Sequence, residues 1–465
     1  MVVEMRVTSI RQARKVLLAW ALSAALGGFV FGYELAVISG ALLFVREDFG
    51  LSGWQQGTLV SAVPLGAMLG GVLAGRVADA LGRRRALILV AVLFIAGTAL
   101  AVAAPGYAVL LCARGVTGVA VGAVSSAAPL YLSEIAPPAE RGRLVTLNQL
   151  MVTLGIVVAY CVGLAFSGSG DWRAMFAVGL VASGLLLLGM LRAPETPAWL
   201  ESHGQTERAR QVLANVVGEA QAERLLHDLR RGRVQSPASV GVRTLLRSDA
   251  APALLIGVTL AAIQQFSGIN AIIAYAPSIM ERTGLSASNS ILYSILVGVA
   301  NVAATAVAVR LVDRRGRRPL LLASTVGACA SLVLLGVTFE VSLGDWGSWL
   351  SLAGLLAYIA SFAVGLGPIF WLLIAEIFPA EARGAGAGVS TAVNWFSGFV
   401  VGLLFVPLAD AVGQGPTFWI FAAVCAIGVL FVKRYVPETQ GRTFTDIAAD
   451  LHARVERTGV HEPAR

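Results

Sequence analysis

Charge is what this sequence has least of. Only 13% of its 465 residues are Asp, Glu, Lys or Arg, where a soluble domain carries about 25%. Lysine is nearly missing: Lys15 and Lys433 are the two, and neither follows a glycine. A nucleotide-driven pump needs a phosphate-binding loop of the form G-x-x-x-x-G-K-[ST], so ATP-driven chemistry is excluded. Histidine is scarce as well, and His203, His227, His452 and His461 all fall in polar segments. No cluster of His, Asp and Glu is left within the apolar runs, which argues against an enzyme or a metal centre and predicts no cofactor. Cys112, Cys161, Cys329 and Cys425 lie inside apolar runs without metal or redox spacing, so no disulfide is expected and they read as small buried apolar residues.

What the chain has instead is apolar length. Hydrophobic residues make up 57% and the mean hydropathy is +0.77. A helix needs about 20 mainly apolar residues to cross a bilayer, and runs bounded by Gly, Pro or charge predict spans near 16–44, 57–78, 86–104, 108–131, 145–166, 174–192, 251–280, 290–312, 319–341, 350–376, 385–411 and 417–436. The 51 glycines and 17 prolines suit closely packed, locally broken membrane helices. The first apolar run is far longer than the 7–15 residues typical of a signal-peptide core, so it reads as an uncleaved span.

The net charge of +8 could suggest a nucleic-acid partner, but the basic residues lie between apolar runs. With both termini inside, all but four of the 35 Lys and Arg fall in or beside inner segments; Arg46, Arg173 and Arg282 are in outer loops and Arg114 is within the fourth span. The positive-inside rule fixes that orientation, with both termini cytoplasmic and no nucleic acid expected. Between the sixth and seventh spans, Leu213, Val216, Val217 and Ala220 follow helical spacing among charged residues, which predicts amphipathic helices along the cytoplasmic face.

Loop signatures recur in both halves. Asp79, Gly82, Arg83 and Arg84 return as Asp313, Gly316, Arg317 and Arg318, and Glu134, Pro137, Arg141 and Gly142 return as Glu376, Pro379, Arg383 and Gly384 at identical spacing. Pro194-Glu195-Thr196 returns as Pro437-Glu438-Thr439. A six-span unit is duplicated, which predicts an all-α membrane protein with two pseudosymmetric six-helix halves, 1–192 and 251–436, a cytoplasmic helical linker, 193–250, and a cytoplasmic tail, 437–465. Halves that rock about a central site are the architecture of alternating-access transporters.

Polar groups within a bilayer need partners or a function. Gln264, Gln265 and Asn270 fall near the middle of the seventh span, where Gly268 could loosen the helix, and Asn301 and Asn394 lie at comparable depth, with Trp371 and Trp395 close by in sequence. Amides donate to and accept from hydroxyls while an indole covers an apolar C–H face, so this set suits a sugar; the alternative is that the amides only join helices. Glu34 and Arg114 sit roughly 15 and 9 Å below the outer surface at 1.5 Å per residue, close enough to pair. Beside Arg114 the carboxylate is favoured, and parted from it the neutral acid is, so the pair could carry a proton; a fixed structural pair is the other reading. At the cytoplasmic ends, Asp79, Arg83, Glu134 and Arg141, with Asp313, Arg317, Glu376 and Arg383, could form ion-pair networks that close an inner gate, beyond their role in topology.

Taken in order, Gly32-Tyr33-Glu34, the Asp79 and Asp313 loops, Pro194-Glu195-Thr196-Pro197, Gln264-Gln265-Phe266-Ser267-Gly268-Ile269-Asn270 and Pro437-Glu438-Thr439-Gln440-Gly441-Arg442 resemble the sugar porters of the major facilitator superfamily over nearly the whole chain. The resemblance implies that superfamily's fold in the cell membrane, a monomer, and sugar contacts at Gln264, Gln265, Asn270, Asn301, Trp371, Asn394 and Trp395. Proton-coupled relatives carry Asp and facilitators Asn at the position of Glu34, which favours import of a neutral monosaccharide by proton symport. A facilitative uniporter and a proton-coupled polyol (inositol) transporter stay open. Two positions depart from the family: Ile156 replaces a common sugar-binding Gln, and Ala274-Tyr275 replaces Tyr-Tyr.

Overall fold

A bilayer interior offers no partner for backbone N–H and C=O groups, so apolar runs of this length satisfy them internally by becoming helices. The computed structural model describes residues 2–138, 140–234, 245, 250–342, 344, 346–379, 381–442, 446–447 and 450–451, and no strand occurs among them. The helices are α1 (Val2–Asp48), α2 (Gly53–Leu81), α3 (Arg83–Val102), α4 (Tyr107–Ile135), α5 (Arg141–Ser167), α6 (Trp172–Arg192), α7 (Pro197–Ser202), α8 (Thr206–Val217) and α9 (Glu219–Val234). After these come α10 (Ala251–Phe266), α11 (Ile269–Glu281), α12 (Ala287–Arg315), α13 (Arg317–Glu340), α14 (Trp346–Val364), α15 (Leu366–Glu376), α16 (Arg383–Val412) and α17 (Gln414–Tyr435). Twelve stretches among the described residues are long and apolar enough to cross a membrane, α10 with α11 and α14 with α15 each counting as one.

The chain divides into two units, Met1–Leu35 with Leu65–Ala159 and Arg173–Ser236, and Ala36–Pro64 with Tyr160–Trp172 and Pro237–Arg465. Within the first, α1 and α5 cross at backbone contact: a Cβ on Gly32 would lie 1.8 Å from the Val152 carbonyl oxygen, and one on Gly155 would lie 2.2 Å from that of Phe29. Packing this close is what holds helices together where lipid competes for apolar surface. It also fixes Tyr33 and Glu34 on the neighbouring turn. Within the second unit, Arg46 Nη2 donates to both carboxylate oxygens of Glu281 at 2.8 Å, and the Tyr160 hydroxyl donates to the Ile273 carbonyl at 2.8 Å. These bonds tie the C-terminal parts of α1 and α5 to α11.

Two spans expected as single helices are broken. The seventh parts at Gly268, whose φ of 94° belongs to the left-handed region. The break in the tenth, at Gly365, has no counterpart in the sequence reading. A Cβ there would lie 2.3 Å from Ser324 Cβ, so glycine lets α13 approach, and Ser324 Oγ then accepts from the freed Leu366 N–H at 2.8 Å. A backbone group released by a break needs such a partner within a membrane.

The expected amphipathic insert is present as α7, α8 and α9, but its buried face differs. Ala209, Val212 and Leu213 are buried in α8, while Val216 and Val217 are only partly covered and the side chain of Ala220 is outside the described residues. Gly218, at φ 81°, separates α8 from α9 and resets the helical phase, so burial resumes at Ala222 and Leu226. The cysteines need a correction too. Cys425 is buried, but Cys112 and Cys161 are exposed and Cys329 is intermediate. An apolar run in a membrane protein has a lipid face, so position within the run does not imply burial.

Candidate functional site

The first constellation lies within the first unit, where Glu34 on α1 and Arg114 on α4 are each 1% exposed. Arg114 Nη1 donates to Glu34 Oε2 at 3.0 Å and Nη2 to the Glu34 backbone carbonyl at 2.9 Å. The Thr98 hydroxyl, from α3, donates to Oε1 at 3.0 Å. The Arg114 guanidinium carbon also stands 5.7 Å from the centre of the Phe176 ring, an added cation–π contact. Two opposite charges are therefore held in a low-dielectric site by several hydrogen bonds. Removing one partner from such a pair typically costs about 3–5 kcal/mol, so any event that neutralises Glu34 alters how strongly α1 is held to α4.

The second lies within the second unit. Asn270 Nδ2 donates to Gln265 Oε1 at 2.8 Å, Gln265 Nε2 to Asn394 Oδ1 at 3.0 Å, and Asn394 Nδ2 to Gln264 Oε1 at 2.6 Å. Gln264 Nε2 closes the chain on the carbonyls of Leu366 at 2.7 Å and Gly367 at 3.2 Å, beside the break in the tenth span. A primary amide offers two donors and two acceptor sites. Gln264 spends both donors on backbone, whereas the bonds drawn to Asn270 leave its Oδ1 and a second N–H for a ligand. Four predicted amides thus come together. Trp395 is buried next to Asn394 in sequence, but Trp371 is 40% exposed and stacks edge-on against Phe370. Asn301 is partly covered and accepts from Thr305 Oγ1 at 3.5 Å, apart from the amide chain.

The loops that carry the repeated charged signatures form two matching networks, one in each unit. Arg83 Nε lies 3.1 Å from Glu134 Oε2, and the Thr196 hydroxyl donates to the same carboxylate at 2.6 Å. In the repeat, Arg317 Nη2 donates to Glu376 Oε1 at 3.1 Å and the Thr439 hydroxyl to Oε2 at 2.5 Å. Asp79 pairs with Arg83 at 3.0 Å but is 73% exposed. The side chain of Asp313 lies outside the described residues. Arg141 and Arg383 open α5 and α16 as exposed residues, and neither has an ion-pair partner among the described residues.

Glu195 and Glu438 appeared in the sequence only as repeated residues. Glu195 accepts from the Arg84 N–H at 3.1 Å, and Glu438 from those of Arg317 at 3.0 Å and Arg318 at 3.1 Å, so each caps the helix that follows Gly82 or Gly316. Both glycines are required there: φ is 99° and 87°, and a Cβ would fall 2.2 Å from Glu195 Oε2 and 2.6 Å from Glu438 Oε2. Burial acts to raise the Glu438 pKa, but the backbone N–H groups of Gln440, Arg317, Arg318 and Thr439 outweigh it and hold the carboxyl below the usual carboxylate range. The signal for this role was the recurrence of Pro-Glu-Thr itself.

Comparison with known proteins gives a consistent match over more than nine-tenths of the chain. A family model described as "Sugar (and other) transporter" matches residues 20–451. The glucose transporter GlcP of Staphylococcus epidermidis is 38% identical over 436 residues, covering 94% of this chain and 96% of the relative. The galactose-proton symporter of Escherichia coli K12 is 36% identical over 444 residues, covering 94% and 96%. Among solved structures, the xylose transporter XylE from E. coli, in a partially occluded inward open conformation, superposes with a TM-score of 0.82 at 30% identity, covering 92% of this chain and 100% of that one.

Proposed function

The chain belongs to the sugar porter family of the major facilitator superfamily, and from that premise we propose that it imports a neutral monosaccharide, a hexose or pentose, by proton symport through alternating access. The observation that carries the reading is the uncharged amide chain of Asn270, Gln265, Asn394 and Gln264 at the break of the seventh span. Such groups match hydroxyls without holding a carboxylate or phosphate, and Trp395, Trp371 and Asn301 extend the proposed sugar site. The halves 1–192 and 251–436 rock about it, both termini face the cytoplasm of a cell membrane, and the monomer is the working unit. Proton coupling is assigned to Glu34 and Arg114, supported by their burial as a pair and by symport in the galactose relative. With Ile156 and Ala274 withdrawing polar groups found in relatives, a polyol such as inositol is the second reading of the substrate.

The test is uptake by purified protein in liposomes across D-glucose, D-galactose, D-xylose, L-arabinose and inositol, with and without an imposed pH gradient. The expected result is that at least one monosaccharide accumulates above equilibrium only with the gradient, inside alkaline. Accumulation of inositol alone would make the polyol the substrate, and equilibration without accumulation would make the protein a facilitator.

Gating is assigned to the cytoplasmic networks. Because Asp79 is exposed, its pair with Arg83 contributes only about 0.2–1 kcal/mol, whereas Arg83 and Glu134 are each largely covered. Arg83→Ala is expected to slow turnover about tenfold, corresponding to about 1.4 kcal/mol, with sugar affinity from outside within a few-fold of wild type. Asp79→Ala should slow it less. Single-turnover and steady-state uptake, measured side by side, check both; normal turnover in Arg83→Ala would reduce the motif to a topology signal.

A further inference from the structure

Hydroxyls within the spanning helices of this protein mostly donate back to their own helix. Thr117 donates to the Arg114 carbonyl, Ser125 to that of Gly122, Thr153 to that of Leu150 and Ser183 to that of Gly179. This is the usual way for Ser and Thr to be satisfied within a helix. Thr98 departs from it. Fully buried on α3, it gives its proton across to Glu34 Oε1 on α1 at 3.0 Å. The two carboxylate oxygens consequently differ, since Oε2 faces Arg114.

The difference decides where a proton can sit. A guanidinium has donors only, so a protonated Glu34 cannot give its O–H to Arg114, whereas a hydroxyl both donates and accepts. We propose that Glu34 is protonated on Oε1 and that Thr98 is the positioning residue for that proton. Beside the carboxylate, Thr98 donates to Oε1. Once Oε1 carries hydrogen, the new O–H donates to Thr98 Oγ1, and the Thr98 proton rotates to the carbonyl one turn back on α3, that of Phe94. No bond to carbon changes, one proton is gained, and neither form leaves a buried hydroxyl unpaired. The charged or titratable groups facing Glu34 are Arg114 from α4 and Tyr33 from α1, whose hydroxyl donates to the Met175 carbonyl. From α6 come Gly179 and Phe176, neither of which ionises; Gly179 leaves room beside Oε1, where a Cβ would lie 3.5 Å away.

This inference rests on the proton-carrier reading of Glu34, and its test separates the two without needing the identity of the sugar. The carbonyl-stretch band of the protonated Glu34 acid would be titrated by infrared difference spectroscopy on full-length protein in liposomes, and assigned by its loss in Glu34→Gln. In Thr98→Val, which keeps the shape but loses the hydroxyl, the midpoint is expected to move to higher pH by about one unit, a tenfold change in proton affinity, because the charge-assisted bond lost from the carboxylate is stronger than the neutral bond lost from the acid. Thr98→Ala should move it the same way, and Thr98→Ser should restore the wild-type midpoint. If the wild-type band titrates but Thr98→Val and Thr98→Ala leave its midpoint in place, or Thr98→Ser moves it as far as they do, the role of Thr98 is overturned and the proton carrier stands. A wild-type Glu34 that never titrates across the range in which the protein stays folded would overturn the carrier and this role with it.

Discussion

Replacing Glu34 by Gln is expected to abolish uphill sugar uptake driven by a pH gradient while sugar counterflow continues. Gln keeps the length and volume of the protonated acid and removes the titration, so the helix pair stays in its neutral form. Moving one proton down a membrane potential releases about 2.3 kcal/mol per 100 mV, which at about 1.4 kcal/mol per tenfold sustains a gradient of several tens-fold. The wild-type gradient should therefore collapse to equilibration in the variant. Gln also leaves Arg114 without a counter-charge in a site 1% exposed, so the yield of folded protein should fall, and counterflow in the surviving protein is the control for its integrity. A Gln variant that still accumulates sugar would remove Glu34 from coupling.

The second large effect is expected at the amide chain. Asn270→Ala and Gln265→Ala should each weaken sugar binding by about 1–3 kcal/mol, roughly 5- to 150-fold, since each removes hydrogen bonds and leaves buried polar groups unpaired. Asn270 gives the cleaner measurement. It stands at the head of the chain and bonds only Gln265 within it, whereas Gln264→Ala would also strip the carbonyls of Leu366 and Gly367 of their donor and lower stability. Equilibrium binding titrations on purified protein check the effect. Wild-type affinity in both Asn270→Ala and Gln265→Ala, for every sugar that is transported, would dismiss this site.

The difference between Asn270 and Gln264 illustrates what could be read in advance. Depth along a span follows from counting residues, so the level of Gln264, Gln265, Asn270 and Asn394 was legible. Which amide donates to which was not, because it depends on the rotation of α10, α11 and α16 about their axes. Trp371 joins the site by its place in the sequence and by the family resemblance, and neither of these told its exposure of 40%. The break at Gly365 depends on α13 approaching closely enough for Ser324 to accept the freed N–H, a long-range event, although Gly365, Gly367 and Pro368 mark its place in the sequence.

The sequence by itself determined that the protein spans a membrane about a dozen times and that one six-span unit is duplicated, because hydropathy and repetition are local quantities that survive without coordinates. It also paired Glu34 with Arg114 by depth. Only the tertiary structure decided that Thr98 holds the other oxygen of Glu34, that Glu195 and Glu438 cap the helices after Gly82 and Gly316, and that Cys112 and Cys161 lie on the surface. Glu195 and Glu438 were visible as a repeat, but the N–H groups they accept from lie more than a hundred residues away. For Thr98 and the cysteines the reason is that a membrane helix can be apolar on every side, so its sequence carries little record of which face meets protein and which meets lipid, and that choice is made by packing between helices distant in the chain.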